Sequence, residues 1–119
     1  MAEDVLALTG IGCGHVLVTG TGGGDGTRDL APFREREDGS AVSGMHLFLN
    51  ARKRSVTLDL RTEAGIALAL DLIREADVVV EAMRPGALAK IGLGYEDLRK
   101  VNPRIVFCSI SGYGATGPY

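Results

Sequence analysis

The amino-acid sequence predicts an α/β fold organised around a parallel sheet. Three observations carry that expectation. The apolar runs at 16–18 and 78–80 are continuous rather than alternating, as buried strands are, and 105–110 reads as a last strand. A helical pattern of apolar residues fills 62–75, between two of those runs. Each run ends in glycine, proline or a charged break. Strands that alternate with helices in this way imply a parallel sheet joined by right-handed crossovers, whose ligands bind beyond the strand C-termini.

Taken in order, Val16, Leu17 and Val18 form the first expected strand, bounded by glycines. Residues 19–44 read as a loop, with Gly20, Gly22, Gly23, Gly24 and Gly26, then a helical turn around Pro32. The mixed charges Arg34, Glu35, Arg36, Glu37 and Asp38 read as a solvated face. Residues 45–50 carry Leu47, Phe48 and Leu49, and periodicity leaves strand and short helix both open. From 55 to 60 the pattern alternates, Val56, Leu58 and Leu60 on one side and Thr57 and Asp59 on the other, which is a strand signal.

Thr62 stands at an N-cap position with Glu63 in the first turn, where the helix dipole favours an anion. Ile66, Ala69, Leu70 and Ile73 follow at helical spacing, so a helix is expected over 62–75. Val78, Val79 and Val80 form the next strand, and Arg84, Pro85 and Gly86 break it. Short helices are expected at 87–91, ended by Gly92, and at 95–101, stopped by Asn102 and Pro103. The last strand, 105–110, runs into a glycine loop over 111–118.

Composition narrows the function. The 119 residues carry 13 Lys and Arg against 15 Asp and Glu, a formal charge of −2, so the basic footprint of a nucleic-acid binder is lacking. With 45% hydrophobic residues, enough apolar surface exists to exclude a disordered chain. Cys13 and Cys108 have no disulfide or metal spacing and read as reduced residues of a cytoplasmic protein; no metal is expected. The sequence shows neither a membrane-spanning run nor a signal peptide, so no membrane partner is expected.

Two families come into view. Thr19 and Gly20, followed by Gly24 and Gly26, resemble the cofactor loop of short-chain dehydrogenases, in which glycines admit a pyrophosphate to the backbone. The context is wrong for that family. The loop opens into Thr27–Pro32 rather than a long helix, and the nearest match to a Tyr-x-x-x-Lys pair is Tyr95 with Arg99.

The back of the chain is more specific. Asn50 to Leu60 is followed by Ala76-to-Glu81, then Arg84-Pro85-Gly86, Gly92-Leu93-Gly94-Tyr95, Asn102-Pro103-Arg104 and Ser109-to-Gly114. In this order the blocks strongly resemble the family III CoA-transferases (CaiB/BaiF), which are related to formyl-CoA transferases and α-methylacyl-CoA racemases. The match is clear over 47–119. Residues 1–46 are glycine-rich and divergent, although Gly24–Arg28 fits the family's Gly-Asp-x-Thr-Arg segment. Thr19 stands where the family has an acid, Thr21 where many members have a CoA-contacting arginine, and Ala82 and Met83 where Asn-Phe is usual.

The resemblance implies a Rossmann-like parallel sheet forming part of the family's large domain, with 1–119 as a partial N-terminal domain. It implies coenzyme A as ligand, an acyl-CoA and a small carboxylic acid as substrates, and a homodimer in the full-length family. It matches Leu58, Arg61, Ala82, Met83, Arg84 and Lys90 to CoA-contacting positions. The chemistry of the ligand agrees with cations there. CoA carries a 3′-phosphate, a pyrophosphate and a flat adenine, which call for Arg or Lys beside apolar or backbone walls.

In the family an Asp carboxylate attacks the acyl-CoA thioester, and by resemblance that Asp lies a few tens of residues beyond the 111–118 loop. The expectation is therefore of a shortened chain without the nucleophile, lacking also the family's first strand, and no catalytic residue is assigned. The branch, transferase or racemase, and a non-catalytic CoA-binding module remain open. Asp59 reads as solvated or salt-bridged, Glu81 as a cap or surface residue, and Asp77 as a turn residue. His15 and His46 read as structural, having no acid or Ser partner at motif spacing, and Ser109 and Ser111 as satisfied by backbone.

Overall fold

The computed structural model of the protein describes residues 5–10, 14–20 and 22–118. Cys13 and Thr21 lie outside the described residues, as does the side chain of His15. A five-stranded sheet has the order β5-β2-β1-β6-β7. Its centre is a hairpin of β1 (Val5–Gly10) and β2 (Gly14–Thr19), with Leu8 opposite Val16. β5 (Arg54–Thr57) adds in parallel to β2, pairing Val56 with Val18. On the other side β6 (Val78–Glu81) runs antiparallel to β1, and β7 (Val106–Ser109) parallel to β6.

Two expectations change here. A strand does precede Val16, formed by the apolar run Val5–Leu8, and the sheet is mixed rather than wholly parallel. The reason is connection length. Residues 11–13 leave no room for the crossover of a dozen or more residues that a parallel pair needs, so β1 and β2 pair antiparallel.

Between β2 and β5 the chain leaves the sheet. A 3-10 helix, Gly26–Asp29, is capped by Asp25, so the helical turn precedes Pro32 rather than surrounding it. A small hairpin follows, β3 (Phe33–Glu35) and β4 (Ala41–Ser43). The charge run forms its exposed end, where Ser40 N donates to Asp38 Oδ1 at 2.9 Å. Helix rather than strand forms here: α1 (Gly44–Leu49), with Asn50 as its C-cap, is capped at its start by Ser43, whose Oγ accepts from His46 N at 3.1 Å.

α2 (Glu63–Glu75) follows the sequence closely. Thr62 Oγ accepts from Gly65 N at 3.0 Å, the N-cap bond that its position predicts. The turn before the helix folds so tightly onto it that a Cβ on Gly65 would lie 2.0 Å from the Asp59 carbonyl oxygen. Ala69 and Ile73 are fully buried and form one core with Val79 of β6, Leu88 of α3 (Ala87–Lys90) and Leu98 of α4 (Tyr95–Val101). Leu58, Ala76, Leu93 and Ile105 complete it.

Asn102 does more than stop α4. Its Nδ2 donates to the carbonyls of Ile73 at 3.0 Å and Ala76 at 2.7 Å, satisfying the C-terminal end of α2. Asn102→Ala is expected to remove this donor from both carbonyls, leaving Ile73 O with Ala76 N alone, and to cost about 2 kcal/mol, seen as a lower urea midpoint with unchanged slope. Gly65→Ala, which forces its Cβ onto backbone, is expected to cost about 3 kcal/mol, whereas Ala67→Gly on the exposed face of the same helix costs about 1 kcal/mol. Equal losses from the two would show that the close approach at Gly65 is not real.

Candidate functional site

Strand direction defines the candidate site. Because β1 runs against both of its neighbours, β2, β5, β6 and β7 all point the same way. Their C-terminal ends share one edge of the sheet, and the segments leaving them begin there: 22–25, 58–61, 82–86 and 110–112. In α/β sheets this edge is where ligands bind. The residues expected to contact CoA fall on two of these segments and on the helix after one of them.

The β6 segment is built by local chemistry. Arg84, Pro85, Gly86 and Ala87 form a turn in which Ala87 N donates to Arg84 O at 2.9 Å. Proline fixes the second position, and Gly86 takes the third at φ +80, the conformation that a type II turn requires and that glycine adopts without strain. The turn delivers the chain into α3, whose last residue is Lys90. Ala82, Arg84 and Lys90 are exposed, and Met83 is half-buried against the core. Neither Arg84 nor Lys90 has an ion-pair partner among the described residues.

Glu81, the last residue of β6, lies beneath this segment. It is 6% exposed, so of the two roles expected for it, cap or surface, burial excludes the surface role. Its Oε2 accepts from Met83 N at 2.8 Å, and its Oε1 accepts from the Ser109 hydroxyl. The Ser109 side chain is thus satisfied by a carboxylate on the neighbouring strand, not by backbone.

The β5 segment is different in character. Leu58 is 7% exposed and belongs to the core, so what it presents to the edge is backbone. Arg61 projects into solvent but is tied to Asp59, with N, Nε and Nη2 all donating to that carboxylate at 2.8–3.0 Å. The Arg61 hydrogen bonds hold the Asp59 carboxyl at about 2, well below the usual carboxylate range. Across the sheet β5 and β6 are three strand spacings apart, roughly 14 Å, so Arg61 and Arg84 flank the edge rather than converge on one point.

Sequence reasoning missed one cluster. His46 is buried and does have an acid partner: its Nδ1 lies 3.6 Å from Asp25 Oδ2, 2.9 Å from Thr27 Oγ and 3.1 Å from Asn50 Nδ2. Asn50 Nδ2 also donates to Asp25 at 2.8 Å, while its Oδ1 accepts from Lys53 Nζ at 2.9 Å. The cluster fastens the Gly24–Arg28 segment to α1. A signal existed, since His46 and Asn50 are four apart and share a face once 45–50 is known to be helical. The acid is 21 positions upstream of the histidine, which no local motif spans.

With that geometry described, comparison with known proteins assigns the family. The family model for CoA-transferase family III matches residues 8–119, and the chain belongs to that family. It is 45% identical over 114 residues to the succinate–glutarate CoA-transferase of Agrobacterium fabrum, covering 94% of this chain and 28% of that protein. It is 38% identical over 111 residues to the acetyl-CoA:oxalate CoA-transferase of Acetobacter aceti, covering 93% of this chain and 27% of the relative. Among solved structures, a CAIB/BAIF family protein from Brucella suis superposes with a TM-score of 0.74 at 43% identity, over 86% of this chain and 27% of that one. The chain therefore spans about a quarter of the length of the relatives it matches. No helix among the described residues is long and apolar enough to cross a membrane.

Burial pushes the Asp25 carboxyl up, but hydrogen bonds from Thr27 and Asn50 and the nearby His46 outweigh it and hold the group below the ordinary 3.8. A depressed carboxylate stabilises the fold fully above its unfolded value, and that contribution is lost as pH falls through the lower folded value. Urea midpoints measured downward from neutral pH are expected to fall below about pH 4, and Asp25→Asn is expected to flatten part of that fall. An unchanged acid limb in Asp25→Asn would show that the cluster does not hold the carboxylate as described.

Proposed function

We propose that this chain supplies part of the CoA-binding domain of a family III CoA-transferase, the 1–119 segment forming one partial N-terminal domain. The observation that carries this reading is the shared C-terminal edge of β2, β5, β6 and β7. There the exposed cations Arg84 and Lys90 stand without ion-pair partners among the described residues, as a polyanionic ligand requires. In this reading Arg84 and Lys90 meet CoA phosphates, Arg61 contributes from the far side of the edge, and Leu58, Ala82 and Met83 offer backbone and apolar surface.

The reaction would be transfer of CoA between an acyl-CoA and a small carboxylic acid. In the family's reaction an Asp carboxylate attacks the thioester carbon and expels the CoA thiolate, leaving a mixed anhydride. The thiolate then attacks the aspartyl carbonyl, releasing the donor acid and forming an enzyme–CoA thioester. The acceptor carboxylate attacks that thioester in turn, and the thiolate closes on the acyl carbon of the new anhydride, regenerating the Asp carboxylate. Donors such as backbone amides must stabilise each oxyanion. The names of several relatives pair a CoA donor with a small dicarboxylic acid, oxalate, glutarate or D-citramalate, which supports such an acid as co-substrate.

Coenzyme A is expected to raise the melting temperature of the 119-residue protein in a concentration-dependent way, and NADPH is not. Arg84→Ala and Lys90→Ala are each expected to weaken CoA binding about tenfold by calorimetry, with little change in the melting temperature of the free protein. Stabilisation by NADPH but not by CoA would overturn this reading in favour of a dinucleotide fold.

A further inference from the structure

We infer that Glu81 is a positioning residue: its buried carboxylate sets the conformation of the 82–84 segment and thereby the place from which Arg84 meets its ligand. The identity of that ligand rests on the CoA reading above; the fixing of the segment does not.

The geometry is specific. After Glu81 the chain leaves the ladder, and the N–H of Met83 finds the Glu81 carboxylate instead of a neighbouring strand, at 2.8 Å. The second carboxylate oxygen accepts from the Ser109 hydroxyl, directly across the register, where Glu81 pairs with Ser109. Ile110 N donates to the Glu81 carbonyl at 2.8 Å, so the same residue also ties the start of the last loop. Thus one side chain and its backbone hold together the exits of β6 and β7 at the ligand edge.

A buried carboxylate is an expensive choice for this task. Among the described residues no cation pairs with Glu81, so the burial has to be met by hydrogen-bond donors. What it gains is two acceptor oxygens pointed at two donors, which a hydroxyl or a single carbonyl cannot match. Met83 is then held twice, through its N–H by Glu81 and through its side chain by the core. The next residue, Arg84, leaves from a fixed point into the Pro85-Gly86 turn, itself closed by the Ala87-to-Arg84 hydrogen bond. Without the carboxylate, Met83 N–H loses its partner and only a fraction of molecules hold Arg84 in its binding position, which weakens apparent affinity by that fraction.

The test compares Glu81→Ala, Glu81→Gln and the milder Ser109→Ala, reading amide exchange at Met83 and CoA affinity separately. Glutamine keeps one acceptor for Met83 N–H and turns its NH₂ toward the Ser109 oxygen, so it is the rescuing variant. Glu81→Ala is expected to speed Met83 exchange and weaken CoA binding roughly tenfold, Ser109→Ala to do both by a smaller factor, and Glu81→Gln to stay near wild type. If Glu81→Ala does not fold, Ser109→Ala against Glu81→Gln carries the same comparison. Unchanged Met83 exchange in the alanine variants overturns the inference outright. Faster exchange with wild-type CoA affinity overturns the positioning role alone. Faster exchange in a protein whose wild type binds no CoA refutes the CoA reading and leaves Glu81 only the fixing of its loop.

Discussion

Burial of one helical face governs the rest of this structure. Ala69 and Ile73 of α2 are wholly buried in a core with Val79 of β6, and the chain cannot satisfy that burial unless α2 lies across the sheet between β5 and β6. This forces β5 and β6 to run in the same direction, as a strand–helix–strand unit does. It also fixes where each strand ends. The loops that follow β5 and β6 are brought to one edge by a packing requirement, not by any attraction among their polar residues.

The edge is a place of contrasting electrostatics. Arg61 is already engaged by Asp59, and a phosphate reaching it would share it with a carboxylate that stays ionised down to about pH 2. Among the described residues Arg84 and Lys90 have no such partner, and they stand on a turn and helix whose geometry is set by proline and glycine. Beneath them Glu81 is buried and fully engaged by hydrogen bonds. Rigid support below and exposed cations above form an arrangement suited to holding an anion at a defined point.

Much of this was legible in the residues. Thr62 and Glu63 announced the start of α2, and Asn102 and Pro103 the end of α4, because caps and breakers act through bonds within one or two turns. Arg84-Pro85-Gly86 announced its turn for the same reason. The three-valine run announced β6. What escaped was set by partners far along the chain. β1 was not recognised as a strand, and its antiparallel pairing followed from the shortness of residues 11–13. The helix at 44–49 was undecided until Ser43 was seen to cap it, and with it the Asp25–His46–Asn50 cluster stayed hidden.

By itself the sequence determined β2, β5, β6, β7, α2, α3 and α4, and the family, because each rests on short-range propensities or on residues in fixed succession. Only the tertiary structure decided that the sheet is mixed, that Leu58 faces the core while Arg84 faces solvent, and that Glu81 is a buried support rather than a surface acid. Those facts depend on which strand lies beside which, and that is settled by packing α2, α3 and α4 against the sheet. Hydrogen bonds such as Ser109 to Glu81 span 28 residues of sequence but only one step of the strand ladder, so they come into being only when the sheet does.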